Sequence, residues 1–295
     1  MTNTRRTSIL ITGATSGIGR ATALHLAQKG FHVIATGRSE ATLTDLVREG
    51  QGALDTLVLD VTSGVSIAAA AAEVDRITQG QGVDVLINNA GFATAVAALD
   101  MTDEDLRTMF DTNVFGLMAV TRAFVGGMIA RGAGRVINLS SVGGRMTTPL
   151  LGGYNGTKYA VESLSDALRV ELAPFGVRVL LVEPGGVRTN FAGTSMKALA
   201  SYSTPNSPWT DLYSRAGEIL AQAETMSTTP DVIARAIERA ITARRPAARY
   251  VVPFSARIML LVIENLPTPW ADWILSRAFG THRLRLPRKG AARRA

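Results

Sequence analysis

Apolar residues along this chain fall in short unbroken runs, separated by longer stretches with a helical spacing. The runs at 8–12, 32–36, 55–59, 83–87, 135–139, 177–182 and 249–252 are short and rich in Val, Ile and Leu, so they predict strands. Between them, apolar positions three and four apart predict helices near 17–29, 63–78, 103–131, 155–173 and 229–243. A strand that is apolar at every position, not at alternate ones, has both faces covered. Strands of that kind alternating with helices predict an α/β fold, a single doubly wound parallel sheet of about seven strands with helices on both sides. Ligands of such sheets bind beyond the carboxyl ends of the strands.

The rhythm breaks at 190–226, which holds Pro205, Pro208 and several Ser and Thr around Trp209, Leu212 and Tyr213. This segment reads as a substrate lid or as a surface insertion. After residue 253, the apolar stretch 258–263 and then Trp270, Trp273, Ile274, Leu275 and Phe279 predict two short helices. The expected organisation is a core unit at 1–253, a helical extension at 254–282 and a basic tail at 283–295. The extension has two open uses: covering a cleft or a subunit contact, or lying in a membrane interface.

Composition bounds the chemistry. With 295 residues, 46% of them hydrophobic, the chain has apolar material for one large core. It has no cysteine, which excludes disulfides and thiolate catalysis. The net charge of +7 is concentrated at the end: Arg283, Arg285, Arg288, Lys289, Arg293 and Arg294 stand there without an acid. Without those six, 25 basic residues face 24 acidic ones, so the high pI belongs to the tail. Such a tail is a solvated end or a contact with anionic lipid. It carries no aromatic interleaving and no nucleic-acid motif, so nucleic acid is not an expected partner. The apolar run after Arg5 and Arg6 is about five residues long and leads straight into a glycine motif, which makes it a strand and not a signal peptide. No apolar stretch reaches the roughly 18 residues of a spanning helix. A cytoplasmic protein is expected.

Two groups of residues carry candidate chemistry. Gly13-Ala14-Thr15-Ser16-Gly17-Ile18-Gly19 lies between the first strand and the first helix. Glycines let backbone approach a pyrophosphate, and a helix N-terminus offers it unpaired N–H groups. Tyr154 and Lys158 are four apart, on one face of a helix, and Ser141 precedes the tyrosine at a strand end. A nearby ammonium favours phenolate and lowers a tyrosine pKa. A phenol so tuned, beside a hydroxyl that holds an oxygen, suits proton transfer to or from an alcohol. Ser140 is a rival to Ser141, on the opposite face of the strand.

Taken together, these residues resemble the short-chain dehydrogenase/reductase family over residues 7 to about 252. Thr12 to Gly19 is similar to its cofactor motif, and Asn88-Asn89-Ala90-Gly91 to its strand-four motif. Asn113, Ser141, Tyr154 and Lys158 match the spacing of its catalytic tetrad, which selects Ser141 over Ser140. Pro184-Gly185-Gly186-Val187-Arg188-Thr189 resembles its nicotinamide-side loop. The resemblance implies a Rossmann-type dinucleotide-binding domain and hydride transfer between a nicotinamide and an alcohol or carbonyl. Tyr154 would be the general acid or base, and Ser141 would hold the substrate oxygen. Lys158 would hold the cofactor ribose, and Asn113 would fix a water that connects Lys158 to solvent. For Asn113 the bland alternative is a buried amide satisfied by backbone.

The cofactor set implied is Gly13, Thr15, Ser16, Gly17, Ile18, Gly19, Arg38, Asp60, Val61, Asn89, Ala90, Gly91, Pro184, Gly185, Val187 and Thr189, with Tyr154 and Lys158. Asp60 would accept from adenine. Strand two ends in Gly37-Arg38, without the acid that accepts the ribose 2′-hydroxyl of NAD. A guanidinium there grips a 2′-phosphate, so NADP (NADPH) is expected over NAD; the alternative is a loop arginine facing solvent. Val142, Met146, Leu151 and Phe191 are the candidate substrate contacts, for a bulky apolar alcohol or ketone. The end of the chain resembles the hydroxysteroid and retinol dehydrogenase branch. A homo-oligomer, dimer or tetramer, is expected, and no metal. The alternative use of the fold is a non-catalytic NADP-binding regulatory or scaffold protein, in which the tetrad is usually broken. All four positions are intact here.

Overall fold

The strand segments form β1 (Ser8–Ile11), β2 (His32–Gly37), β3 (Leu54–Val58), β4 (Val85–Asn88), β5 (Gly134–Leu139), β6 (Val177–Pro184) and β7 (Arg249–Val252). The structure is a computed structural model that describes residues 6–189, 199–202, 207–218, 225 and 227–284. Phe191, much of the 190–226 segment and all but the first two residues of the basic tail lie outside the described residues. The strands pair in parallel in the order β3-β2-β1-β4-β5-β6-β7. The order reverses between β1 and β4, which opens a crevice beyond their carboxyl ends.

The unbroken apolar runs have the cause anticipated for them. Ile9, Ile11, Val33, Ala35, Val85 and Ile87 face one helical layer, and Leu10, Ile34 and Leu86 between them face the other. The first layer holds α1 (Gly17–Gln28), α2 (Glu40–Glu49) and α7 (Pro230–Thr242). The second holds α3 (Gly64–Ile77), α4 (Asp103–Phe110), α5 (Leu117–Arg131) and α6 (Gly152–Leu172). The extension folds as α8 (Phe254–Asn265) and α9 (Thr268–Phe279).

Two elements differ from expectation. Helix α2 went unpredicted because Leu43 and Leu46 are its buried residues, too few to show a periodicity. The stretch expected as one helix over 103–131 is broken by a π-helical turn, Asp111–Gly116. There Gly116 is pressed onto β3's exit, where an added Cβ would stand 2.9 Å from both the Val61 side chain and its carbonyl oxygen. The π turn carries Asn113, and such turns recur at functional sites. Contrary to the sequence reading, Asp103–Arg131 is long and apolar enough to cross a membrane by length and composition. Its Val120, Phe124 and Met128 are instead spent on the sheet.

The segment between β6 and α7 leaves the sheet and returns through a clasp. Arg188 N donates to the Thr228 carbonyl at 2.9 Å, and Thr228 N donates to the Gly186 carbonyl at 2.9 Å. Within the excursion, short helices Leu199–Tyr202 and Thr210–Ser214 build a small core of Leu199, Leu212, Tyr213 and Ala216 with Val96, Ala97 and Leu150. Asp100 Oδ2 accepts from Tyr213 at 2.7 Å and from Ser207 at 2.8 Å.

Candidate active site

The glycine loop sits at the crevice between β1 and β4, and its glycines are required by contact. Gly13 has φ +64° and faces Ala90 Cα, 2.9 Å from where a Cβ would stand. At Gly19 a Cβ would meet the Gly13 oxygen at 2.3 Å and Asn89 Nδ2 at 2.4 Å. Asn89 staples the loop: its Nδ2 donates to the Thr12 and Gly13 carbonyls, both at 2.9 Å. Thr12 Oγ1 accepts from the Asn89 and Ala90 amides at 3.0 Å. Asn89 was expected to line the cofactor cleft, but its side chain is turned to the loop that forms the cleft.

The residues fit a dinucleotide. Ser16 caps α1 without a side-chain bond to its first N–H groups, which suits a diphosphate at that helix end. Thr15 and Ile18 flank this turn. At the end of β2, Gly37 is pressed against Thr15, whose methyl lies 2.4 Å from where a Cβ would be. A side chain at that position would require Thr15 to shift. Arg38 follows it, exposed, and its charge helps lower the Asp60 pKa, which hydrogen bonds from Thr62 lower most. Asp60 Oδ1 takes the Thr62 amide at 2.9 Å and its hydroxyl at 2.7 Å. Across the crevice, Thr189 approaches the glycine loop closely enough that a Cβ at Gly17 would stand 3.4 Å from its methyl. Gly185 N donates to the Val252 carbonyl at 2.7 Å, and Val187 bridges to Thr228, so β7 and the clasp hold the loop that begins at Pro184.

The tetrad positions converge beside this crevice. Ser141 follows β5 and opens a tight turn in which Gly143 N donates to Ser141 Oγ at 3.0 Å. Asn155 secures the turn by donating to the Gly143 and Met146 carbonyls at 2.9 and 3.2 Å. Ser141 hydrogen-bonds the Tyr154 phenol. Lys158, one helical turn after Tyr154 on α6, lies buried with Nζ 5.7 Å from the tyrosine ring centre and 2.7 Å from the Leu139 carbonyl it donates to. Asn113 spends its amide on structure. Its Nδ2 donates to the Phe92 carbonyl at 2.9 Å and to Thr157 Oγ1 at 3.0 Å, and its Oδ1 accepts from Phe92 N at 3.0 Å. An added Cβ at Gly91 would be 2.9 Å from that Oδ1, so the strand-four loop is locked to the π turn.

The electrostatics differ from the sequence expectation. Burial pushes the Tyr154 phenol up to about 12, with Ser141 pulling the other way. Burial also draws Lys158 down to about 8, with Glu162 opposing, so the charge it holds at the Leu139 carbonyl weakens as pH rises through that value. At neutral pH the phenol is therefore protonated, a proton donor as it stands.

Of the candidate substrate contacts, Met146 is buried, Val142 and Leu151 are half-buried, and Phe191 lies outside the described residues. Leu212 and Tyr213 are buried against Val96, Ala97 and Leu150. The sequence reading missed Asn155, Thr12 and Thr157 as supports. It also missed an ion network of Arg145, Glu162, Glu183 and Arg249; only the Lys158–Glu162 spacing signalled it.

Comparison with known proteins agrees with this geometry. A family profile described as short chain dehydrogenase matches residues 7–200. A 3-ketodihydrosphingosine reductase of Bacteroides thetaiotaomicron is 35% identical over 242 residues, 82% of this chain and 86% of that one. Human retinol dehydrogenase 5 is 34% identical over 283 residues, 91% of this chain and 87% of its own. The structure of a serine dehydrogenase complexed with NADP+ superposes with a TM-score of 0.72 at 30% identity, over 84% of this chain and 95% of that one. The chain belongs to the short-chain dehydrogenase/reductase family, in its hydroxysteroid/retinol branch, and is a nicotinamide-dependent oxidoreductase.

Proposed function

We propose that this oxidoreductase uses NADP and interconverts a bulky apolar alcohol and its carbonyl, of steroid, retinoid or other lipid-like type. The observation that carries the cofactor choice is the end of β2. Gly37, packed against Thr15, stands where an acid would accept the ribose 2′-hydroxyl, and the next residue presents an exposed guanidinium. A bound nicotinamide supplies the hydride. The chain supplies the rest: Ser141 holds the substrate oxygen, and Tyr154 gives that oxygen its proton in reduction and takes it in oxidation. Lys158 holds the cofactor ribose and the charge beside the phenol. Asp60 accepts from adenine through Oδ2, the oxygen that Thr62 leaves unused. The amide of Asn113 keeps Gly91 and α6 in register, which aligns Lys158. Val142, Met146 and Leu151 form the near wall of the substrate site, and the 190–226 segment, with Phe191, is its lid. The names of the relatives, a sphingoid-base reductase and a retinol dehydrogenase, support a lipid-like substrate.

Arg38→Asp should reverse the preference toward NAD, because it removes a charge-assisted phosphate contact worth roughly 1.5–3 kcal/mol, about ten- to a hundredfold in affinity. Titration of the wild type with NADPH and NADH checks the premise. Equal affinities would refute the reading of Arg38. The substrate class is tested by screening NADPH oxidation against retinal, ketosteroids and long-chain keto-amines.

A second reading concerns where the enzyme works. A cytoplasmic location and a homodimer or homotetramer belong to the proposal, with α8 and α9 as a peripheral lipid contact. Phe254, Leu261 and Val262 of α8 are exposed, as are Trp270 (64%) and Trp273 (55%) of α9. Arg277 stacks 4.6 Å over the Trp273 ring, and the basic tail follows. An apolar face bordered by cations suits an anionic bilayer surface. The protein should float with phosphatidylserine vesicles at low salt and be released by high salt. No flotation at low salt ends this reading.

A further inference from the structure

Lys158 is the buried cation of the site, 6% exposed, and its hydrogen bond goes to a neutral carbonyl. Burial works against its charge, and the group that opposes burial is Glu162. Glu162 stands one turn further along α6, on the face shared by Tyr154 and Lys158. Gly144 is the spacer between them and the catalytic turn. A Cβ there would lie 3.0 Å from Glu162 Cγ, 3.0 Å from the Lys158 carbonyl and 2.8 Å from Ser140 Oγ. The turn that carries Ser141 is thus pressed directly against Glu162.

From the other side Glu162 is fixed by β7. Arg249 Nε donates to its Oε2 at 3.0 Å, and Arg249 Nη2 donates to Asp166 at 2.7 Å. Arg249 also lies 3.2 Å from the buried Glu183 of β6. Arg145 donates to Glu183 at 3.2 Å and forks onto Glu264 of α8 at 2.7 Å on both oxygens. The cluster therefore sets three guanidiniums, Arg145, Arg169 and Arg249, against four acids, Glu162, Asp166, Glu183 and Glu264, of which burial pushes Glu162 up and Glu183 up to about 7. Lys158 is the next cation along, and Glu162 is the acid of this cluster on its own face of α6.

We propose that Glu162 is a positioning residue: its carboxylate, anchored by Arg249, is the counter-charge that keeps Lys158 an ammonium beside Tyr154. The proposal rests on the reading of Lys158 as the charged partner of the site, but it is tested without turnover. The chain has four lysines, Lys29, Lys158, Lys197 and Lys289, so NMR of isotope-labelled lysine side chains resolves each titration. Loss of one signal in Lys158→Met assigns it.

In the cofactor-free wild type, Lys158 should titrate near about 8. In Glu162→Gln its midpoint should fall by about half a pH unit or more, while exposed Lys29 stays put. Glu183→Gln removes a buried carboxylate farther along the chain of ion pairs and should move Lys158 less than half as far. The pH profile of alcohol oxidation, which rises with deprotonation of Tyr154, should carry a break at the Lys158 midpoint that moves with it. An unmoved midpoint in Glu162→Gln overturns the proposal, as does an equal shift in Glu183→Gln. A rate loss with an unchanged pH profile marks a merely structural role and overturns it too. If Glu162→Gln does not fold, Glu162→Asp decides: its withdrawn carboxylate should still lower the midpoint, and no shift rejects the idea. Full turnover in Lys158→Met would instead defeat the reading of Lys158 and leave the measured coupling standing.

Discussion

Tyr154→Phe should lose at least about a hundredfold in turnover, the lower end of what a positioned proton donor contributes, with NADPH affinity near the wild-type value. The phenylalanine ring keeps the packing on α6 and removes only the hydroxyl that Ser141 contacts. The pH dependence of the wild type follows from the same group. Burial holds the phenol at about 12, so it stays protonated through neutral pH and carbonyl reduction keeps its donor. Alcohol oxidation needs the deprotonated form, whose fraction grows tenfold per unit of pH below that midpoint. Oxidation should therefore rise with pH where reduction stays level. Rate-against-pH curves in both directions check this. A variant that keeps more than a tenth of the wild-type rate removes Tyr154 from the proposed role.

Gly19→Ala should cost at least about tenfold in NADPH affinity and about 1–3 kcal/mol of stability, the usual range for forcing a methyl into packed space. The methyl would fall 2.3 Å from the Gly13 oxygen and 2.4 Å from Asn89 Nδ2. Neither neighbour is free to give way. Asn89 Nδ2 donates to the Thr12 and Gly13 carbonyls, so displacing it breaks two of the bonds that tie the loop to the end of β4. Gly64→Ala is the control, because nothing lies within 4 Å of its added Cβ. Cofactor titration and thermal melting of the two variants give the comparison. Binding by Gly19→Ala within about twofold of wild type would show that the loop tolerates the methyl and that its glycines answer to something else.

The sheet was legible because its strands are buried on both faces, and that burial leaves runs such as Ile9-Leu10-Ile11 in the sequence. The tetrad was legible through spacing, since Tyr154 and Lys158 share a helix and Ser141 ends a strand. What escaped depends on partners distant in the chain. Arg249 meets Glu162 and Asp166 across more than eighty positions, and no local period records that. Spacing singles out Asn89 and Asn113, but the direction of their amides is set by Thr12, Gly13 and Phe92. The tyrosine's charge state was misjudged for a related reason. Helical spacing brings Lys158 near Tyr154, but it does not say that Leu139 will claim the ammonium.

The clasp at Gly186, Arg188 and Thr228 bears on how this architecture diversifies. The chain that leaves β6 and the chain that enters α7 already meet there through two backbone hydrogen bonds. Whatever lies between them is a closed loop, and its length enters the free energy of folding only logarithmically, about 0.6 kcal/mol for each doubling. Insertions, deletions and wholesale exchange of that cassette leave the pairing of β6 with β7 untouched, and with it the Ser141 turn and the proton donor. On the lid reading proposed above, selectivity can drift in one inherited module while the reacting groups stay as they are.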